Sequence, residues 1–468
     1  MSRGFFSISL ALSLLLFSAG CATYYQRNRE FHESFVQREF RRASELLDKN
    51  RRAPLGKDRL LHFLHKGVVL QLMGKYEESN RFFEKAYLYS EDLQKNYAVE
   101  AFSLVSNPQV LPYRGEDFEL VQIHYYKALN FLSLGAMEEA LVECRRLNIQ
   151  LNQLNDRYGH RKNRYKRDAF AHNLMGIIYE ASGEHNDAFI AYRNAYEAYR
   201  EDYCTAFGVE PPDQLKRDLL KSAYLNGFTE ELEGYEREFG FTHKPQESSG
   251  GELVFFWNTG LGPVKGSWSI NFFIVRGSGE GVLFVNEELG LSFPFVLGTD
   301  SVGSSGLGDL RIVRVAFARY LERKPYYRSA DLMVVSGVYP LELAQNINEI
   351  AFKSLEDRML REFGTSLLRV ALKQAGEELL RRKNQNLGTL FTVTNALTER
   401  ADTRNWQTLP YSIAYARVPL PTGMNEVELR VYSDEKSRVK SERFQMDVST
   451  GETVFLFHHT LDSLPLEQ

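Results

Sequence analysis

The sequence predicts a multidomain α + β chain, an N-terminal α-helical solenoid of repeated hairpins followed by a mostly antiparallel β-rich domain with a packed helix. Three observations predict it. From Phe31 to about Gly240 apolar residues recur at helical spacing, whereas from Gly251 onward short β-rich runs alternate with Gly and Pro. Between the halves, Thr242 to Gly251 is polar and rich in breakers, as a linker is. The length of 468 residues exceeds the roughly 250 to 300 that one core usually serves. Hydrophobic residues make up 43% and charged residues 25%, enough to build an ordered core. A net charge of -4 and a pI near 6.3 give no basic footprint, so nucleic acid is not an expected partner.

The first element is a leader. Arg3 precedes an apolar run from Phe5 to Phe17, too short for the roughly 20 residues of a transmembrane helix, and Ser18-Ala19-Gly20-Cys21 closes it. This tetrapeptide resembles the lipobox of bacterial lipoproteins, which implies cleavage before Cys21 and acylation of that cysteine. Ser18, where Leu is commonest, leaves cleavage without lipid as the alternative. Ala22 in place of Asp implies the outer membrane; a periplasmic facing is expected, though Ala22 does not fix it.

Helical repeats follow. Three segments share one spacing: Phe63, Gly67, Gly74, Tyr76, Ser79, Phe83 and Ala86; Ala128, Gly135, Met137, Ala140, Cys144 and Leu147; Gly176, Tyr179, Gly183, Ala188, Tyr192 and Ala195. A small residue where two helices cross lets them approach closely, and a glycine permits the tight turn between them. The pattern resembles the tetratricopeptide repeat. Glu39 to Leu47 offers the second helix of a degenerate first repeat, and Leu215 to Phe239 a capping hairpin. The turn glycines are too far apart for a tandem array, so 94–119 and 155–168 are insertions. Cys144 takes a core position, where a small apolar side chain is expected; a bridge to Cys204 is allowed but not required.

In the second half, Glu252 to Lys265 reads as an apolar strand ending in a Gly-Pro turn. Further strands are expected at Trp268–Val275, Gly281–Val285, Leu310–Ala318, Ser412–Arg417, Glu426–Tyr432, Arg443–Val448 and Thr453–His458. Pro340 to Arg382 carries a helical period that Gly364 is expected to bend or break. The division is then a leader over 1–20, a tether over 21–30, helical repeats over 31–240, a linker over 241–251 and the β-rich domain over 252–468.

Taken with the leader, the segments 113–119, 141–146, 190–195, 254–265, 401–410 and 416–421 make the chain similar, nearly end to end, to a family of bacterial tetratricopeptide-repeat-containing lipoproteins. No reaction comes with that resemblance. It implies a scaffold in cell-wall or envelope assembly, with the peptidoglycan-synthesis machinery as partner. An envelope hydrolase or glycan-processing enzyme with its site in the C-terminal domain is the rival reading.

Candidate site residues follow from the repeat template. The inner helices place Leu64, Val68, Gln71, Gln122, Tyr125, Leu129, Phe170, Asn173, Ile177 and Glu180 on one concave groove, the expected site for a protein partner. The alternative is that the insertions, the cap or the β-rich half cover these residues, since large apolar patches seldom stay bare. No cofactor is expected. His62 and His65 lack the spacing and companions of a metal site, and His124 and His172 occupy one repeat position suited to packing between helices. Gly303 to Asp309 reads as a loop rather than a phosphate cradle, and no nucleophile motif has acid and base partners, so no catalytic residue is named.

Overall fold

The computed structural model describes residues 22–95, 108–158, 165–245, 250–276, 281–296, 312–383, 401–433 and 439–466. Cys21 and the stretch read as its leader, and 303–309, read as a loop, lie outside them. Helices α1 (Arg29–Val36) and α2 (Phe40–Lys49) form the first hairpin, and α3 (Arg59–Leu72) with α4 (Tyr76–Lys95) the second. Next come α5 (Asp117–Ser133) with α6 (Met137–Tyr158), α7 (Ala169–Ala181) with α8 (His185–Ala198), and α9 (Asp213–Leu225) with α10 (Thr229–Phe239). The expected small residues do what sterics require. A Cβ on Gly67 would lie 2.6 Å from the Phe83 ring, and one on Gly176 2.4 Å from that of Tyr192. Gly74, Gly135, Gly183 and Gly227 turn the later hairpins with φ between 70° and 84°, the left-handed region open to glycine. The first hairpin uses Arg38 there, at φ 60°.

Two expectations are corrected at the start of the chain and in the long helix. The stretch read as a tether is part of the fold: Thr23 caps the turn Tyr24–Arg27, Tyr24 is buried, and its N–H donates to Thr403 Oγ1 at 2.9 Å. A buried aromatic holds the chain where polarity suggested freedom. Gly364 does not break its helix, because α11 runs from Ile347 to Lys383 without interruption. Glycine in an α-helix costs only about 1 kcal/mol against alanine, and the buried Phe363 beside it packs 4.3 Å from Phe317. Before it, Pro340 and Glu342–Asn346 belong to strands rather than to the helix.

Twelve described strands form three four-stranded sheets. The central sheet has the order β12 (Thr453–Thr460), β1 (Gly251–Thr259), β9 (Ser412–Leu420), β8 (Glu342–Asn346). The outer sheet has β11 (Val439–Val448), β10 (Gly423–Tyr432), β6 (Ser329–Val334), β7 (Gly337–Pro340). The lateral sheet has β4 (Leu291–Val296), β3 (Gly281–Asn286), β2 (Val264–Arg276), β5 (Ile312–Leu321). The β1–β12 pair is parallel and the other ladders are antiparallel.

The central sheet is covered on both faces, which explains why β1 reads as the continuous apolar run Leu253-Val254-Phe255-Phe256-Trp257 instead of alternating. Leu253, Phe255 and Trp257 join Ala414, Ala416 and Val418 in a core shared with the outer sheet. Val254 and Phe256, with Ile413 and Tyr415, belong to the same core as the repeats. Helix α11 covers one face of the lateral sheet through Phe363 and Leu367.

A repeat groove filled by its own chain

The groove is lined as the template requires, and its occupant is the β-rich half of the same chain. All ten expected residues are buried, the most accessible being Glu180 at 8% exposure. Tyr125 donates its hydroxyl to Asn258 Oδ1 on β1 at 2.8 Å and meets the Phe256 ring edge-on at 6.5 Å; Phe170 meets the same ring at 6.2 Å. Leu64, Val68, Leu129 and Ile177 lie in the shared core. Gln71 donates to Asn130 Oδ1 at 2.9 Å within the repeats, and Gln122 and Asn173 are buried on α5 and α7. The open groove is therefore corrected in favour of the covered one. The reason is stoichiometric: β1 and β9 have an apolar second face that the outer sheet does not reach, and the inner helices have the matching surface.

A second occupant is the irregular segment 401–410, which sequence reading quoted but did not place. It carries no strand or helix, yet Thr403 to Leu409 is buried throughout. Several of its polar groups are met individually, as those of a bound peptide would be. The Trp406 backbone N–H donates to Glu119 Oε1 at 2.7 Å, and its ring lies 5.5 Å from Tyr126 and 6.0 Å from Phe83. Thr408 Oγ1 is 3.0 Å from His65 Nδ1. The Arg404 guanidinium donates to Asp58 at 3.1 Å and to the Leu111 carbonyl at 3.0 Å, so the first insertion also closes on this segment.

Charged groups seal the interface. Arg417, facing the repeats from β9, pairs with Glu180 at 2.8 Å and with Asp218 of α9 at 3.0 Å, and also holds Glu252. Burial alone would raise the Glu180 carboxyl, but Arg417 and Lys221 hold it well below the usual carboxylate range. Asp218 moves the other way, to about 6, because burial outweighs Arg417 and Glu180 repels its charge. At the other end Glu116 accepts from Lys265 of β2 and Arg358 of α11, which overcome burial and keep it ionised. Glu119 is pushed up to about 7 by burial and by Glu116. Such perturbed carboxylates in a cleft would suggest catalysis. Here Glu116 and Glu119 are 7% and 0% exposed, so substrate cannot reach them. Spacing alone could not have found the pairs made by Arg417, Lys265 and Arg358, because each joins residues more than a hundred positions apart.

The repeat histidines His62, His65, His124 and His172 are all buried. His124 Nδ1 lies 2.7 Å from Glu143 Oε2 beneath Lys127, and His172 is buried on α7. Among the described residues no cluster of three or more His, Cys, Asp or Glu is arranged to hold a metal ion. Cys144 and Cys204 are both free thiols, Cys144 buried as expected.

No family model matches the chain. No curated protein matches it either. Among solved structures it is similar to MamA, at 13% identity and TM-score 0.28 over 44% of this chain and 91% of that one. It is also similar to BtubC from P. vanneervenii, at 16% identity and TM-score 0.32 over 47% and 82%. A third is a Podosopora anserina kinesin-light-chain-type protein with nearly identical TPR-like repeats, at 15% identity and TM-score 0.28 over 45% and 92%. Likenesses this distant carry no argument about function, and the repeat assignment rests on the hairpins themselves.

Proposed function

We propose that the chain is a lipid-anchored scaffold of the bacterial outer membrane, held at Cys21 and facing the periplasm, that binds protein partners and catalyses no reaction. The observation that carries this reading is the filled groove: repeats and β-rich half form one body, and the perturbed carboxylates are spent inside it. The groove residues then serve to hold the β-rich half, and partners dock on the exterior. Exposed apolar residues on the second helices of the hairpins, Leu88, Val142, Ile149 and Ile190, supply such a surface. Peptidoglycan-synthesis machinery is the partner class proposed, in keeping with a role in envelope assembly.

Two experiments test it. Cys21→Ser should release the protein from the outer-membrane fraction; continued fractionation there contradicts the anchor. A photo-crosslinking residue at Ile149 should capture a partner in intact cells while one at Tyr125 yields only intramolecular adducts. Capture of a partner from Tyr125 would mean that the groove opens.

A further inference from the structure

The N-terminal end of the body differs in charge from the rest. Residues 22–60 hold ten Lys and Arg against six Asp and Glu, a surplus of four cations in a chain whose formal net charge is -4. Five of its six acids are used internally, the exposed Glu45 being the exception. Glu33 pairs with Arg29, Glu30 and Glu39 with Arg42, Asp48 with the buried Lys66, and Asp58 with Arg404. By contrast Arg27, Lys49, Arg51, Arg52 and Lys57 are exposed and enter no ion pair among the described residues. Lys57 donates only to the Gln109 carbonyl, and Arg27 lies over the Tyr24 ring.

Geometry gathers these cations around an apolar projection. Arg51-Arg52-Ala53-Pro54-Leu55-Gly56-Lys57 makes a 3-10 turn stiffened by Pro54, and Leu55 at its end is 83% exposed. A cavity of about 380 Å³ beside the turn is lined by Phe31, Leu46 and Leu47 and by Arg27, Arg52 and Lys57, with Tyr24 at the same opening. Tyr24 is three residues from Cys21, so the chain between them spans at most about 11 Å. That is close to the roughly 8 to 10 Å over which a membrane's surface charge is felt at physiological salt.

We propose that this face, formed by Arg27, Lys49, Arg51, Arg52, Leu55 and Lys57, rests on the surface of an anionic phospholipid bilayer. The cations meet headgroup phosphates and Leu55 enters the acyl boundary. Resting on the lipid-anchor reading for its placement, the contact supplies a second membrane signal, and it sets the body's orientation where acyl chains alone leave it free to swing.

The test uses the chain from Ala22 to Gln468, which contains the whole described fold and lacks the acylated cysteine. It should sediment with phosphatidylcholine vesicles containing phosphatidylglycerol, not with phosphatidylcholine alone, and lose binding as salt rises. Arg51→Ala, Arg52→Ala and Lys57→Ala together should weaken partitioning roughly a hundredfold, from about 1 kcal/mol per cation near the surface. Leu55→Ser should weaken it further at every salt concentration. All four positions are exposed, so thermal unfolding should be unchanged and serves as the folding control. Equal binding to neutral vesicles, absence of binding, or unchanged partitioning of the triple variant would each overturn the proposal. Because Cys21 is absent, such a failure leaves the anchor to be judged by Cys21→Ser in cells.

Discussion

The central and lateral sheets have the same strand number and opposite surroundings. Along β1 every residue from Leu253 to Thr259 is buried, since the outer sheet takes one face and the repeats the other. On β2 and β5 burial alternates: Phe272 and Val313 pack inside, while Phe273 and Ile312, directly paired across the ladder, are 49% and 50% exposed. The difference teaches that the repeats are a structural layer of the β-rich half. Without them the row Val254, Phe256 and Asn258 and its partners Arg417, Tyr415 and Ile413 would face water.

Acid should separate the two sheets most. His32, His65 and His459 are buried between the first repeats and the central sheet, and burial holds each below its ordinary pKa, His65 and His459 to about 3. The unfolded chain then binds more protons below pH 6.5, so stability present above that pH is lost as pH falls toward 3. The loss should approach about 1.4 kcal/mol per histidine per pH unit. The described lateral sheet contains no histidine. Hydrogen-exchange protection, taken relative to the intrinsic rate at each pH, should therefore fall from pH 7 to pH 5 in α1, α3 and β12 before β2 and β5; a uniform fall would break the comparison.

Side-chain truncation sharpens it next. Phe256→Ala should cost about 3 to 5 kcal/mol in urea unfolding, as for a buried aromatic, and Phe273→Ala about 0.5 or less. Similar costs at the two positions would contradict the assignment of faces. Arg417→Ala should cost about 3 kcal/mol, the lower end for breaking a buried ion pair, because Lys221 stays 2.6 Å from Glu180 while Asp218 loses its cation. A thermal shift of a degree or less would mean the network contributes little.

A small net effect is expected at the first turn. Arg38→Gly relieves a left-handed backbone but removes the guanidinium bond to the His459 carbonyl at 2.9 Å. The two contributions oppose each other, so the net change should stay within about 1 kcal/mol by thermal unfolding. A large loss would show that Arg38 anchors the first repeat to β12.

The hairpins were legible because their spacing rule is local: Gly67 and Phe83, or Gly176 and Tyr192, meet within one pair of adjacent helices. The central strands were legible as strands for the same reason. What fills the groove was not, since an inner helix carrying Leu64, Val68 and Tyr125 has one pattern whether the cover is a partner or Phe256. The segment 401–410 has no period, and its order comes from Glu119, His65 and Asp58, hundreds of residues away. Tyr24 gave no sign either, one of two adjacent tyrosines in a polar stretch, whose partner is Thr403.

All three tryptophans, Trp257, Trp268 and Trp406, lie in the β-rich half, whereas helical circular dichroism reports mainly the repeats. Urea unfolding followed by both signals measures directly whether groove and occupant are one body. Coincident transitions with one midpoint are predicted. Two separated transitions, with tryptophan emission unchanged while the helices melt, would contradict it.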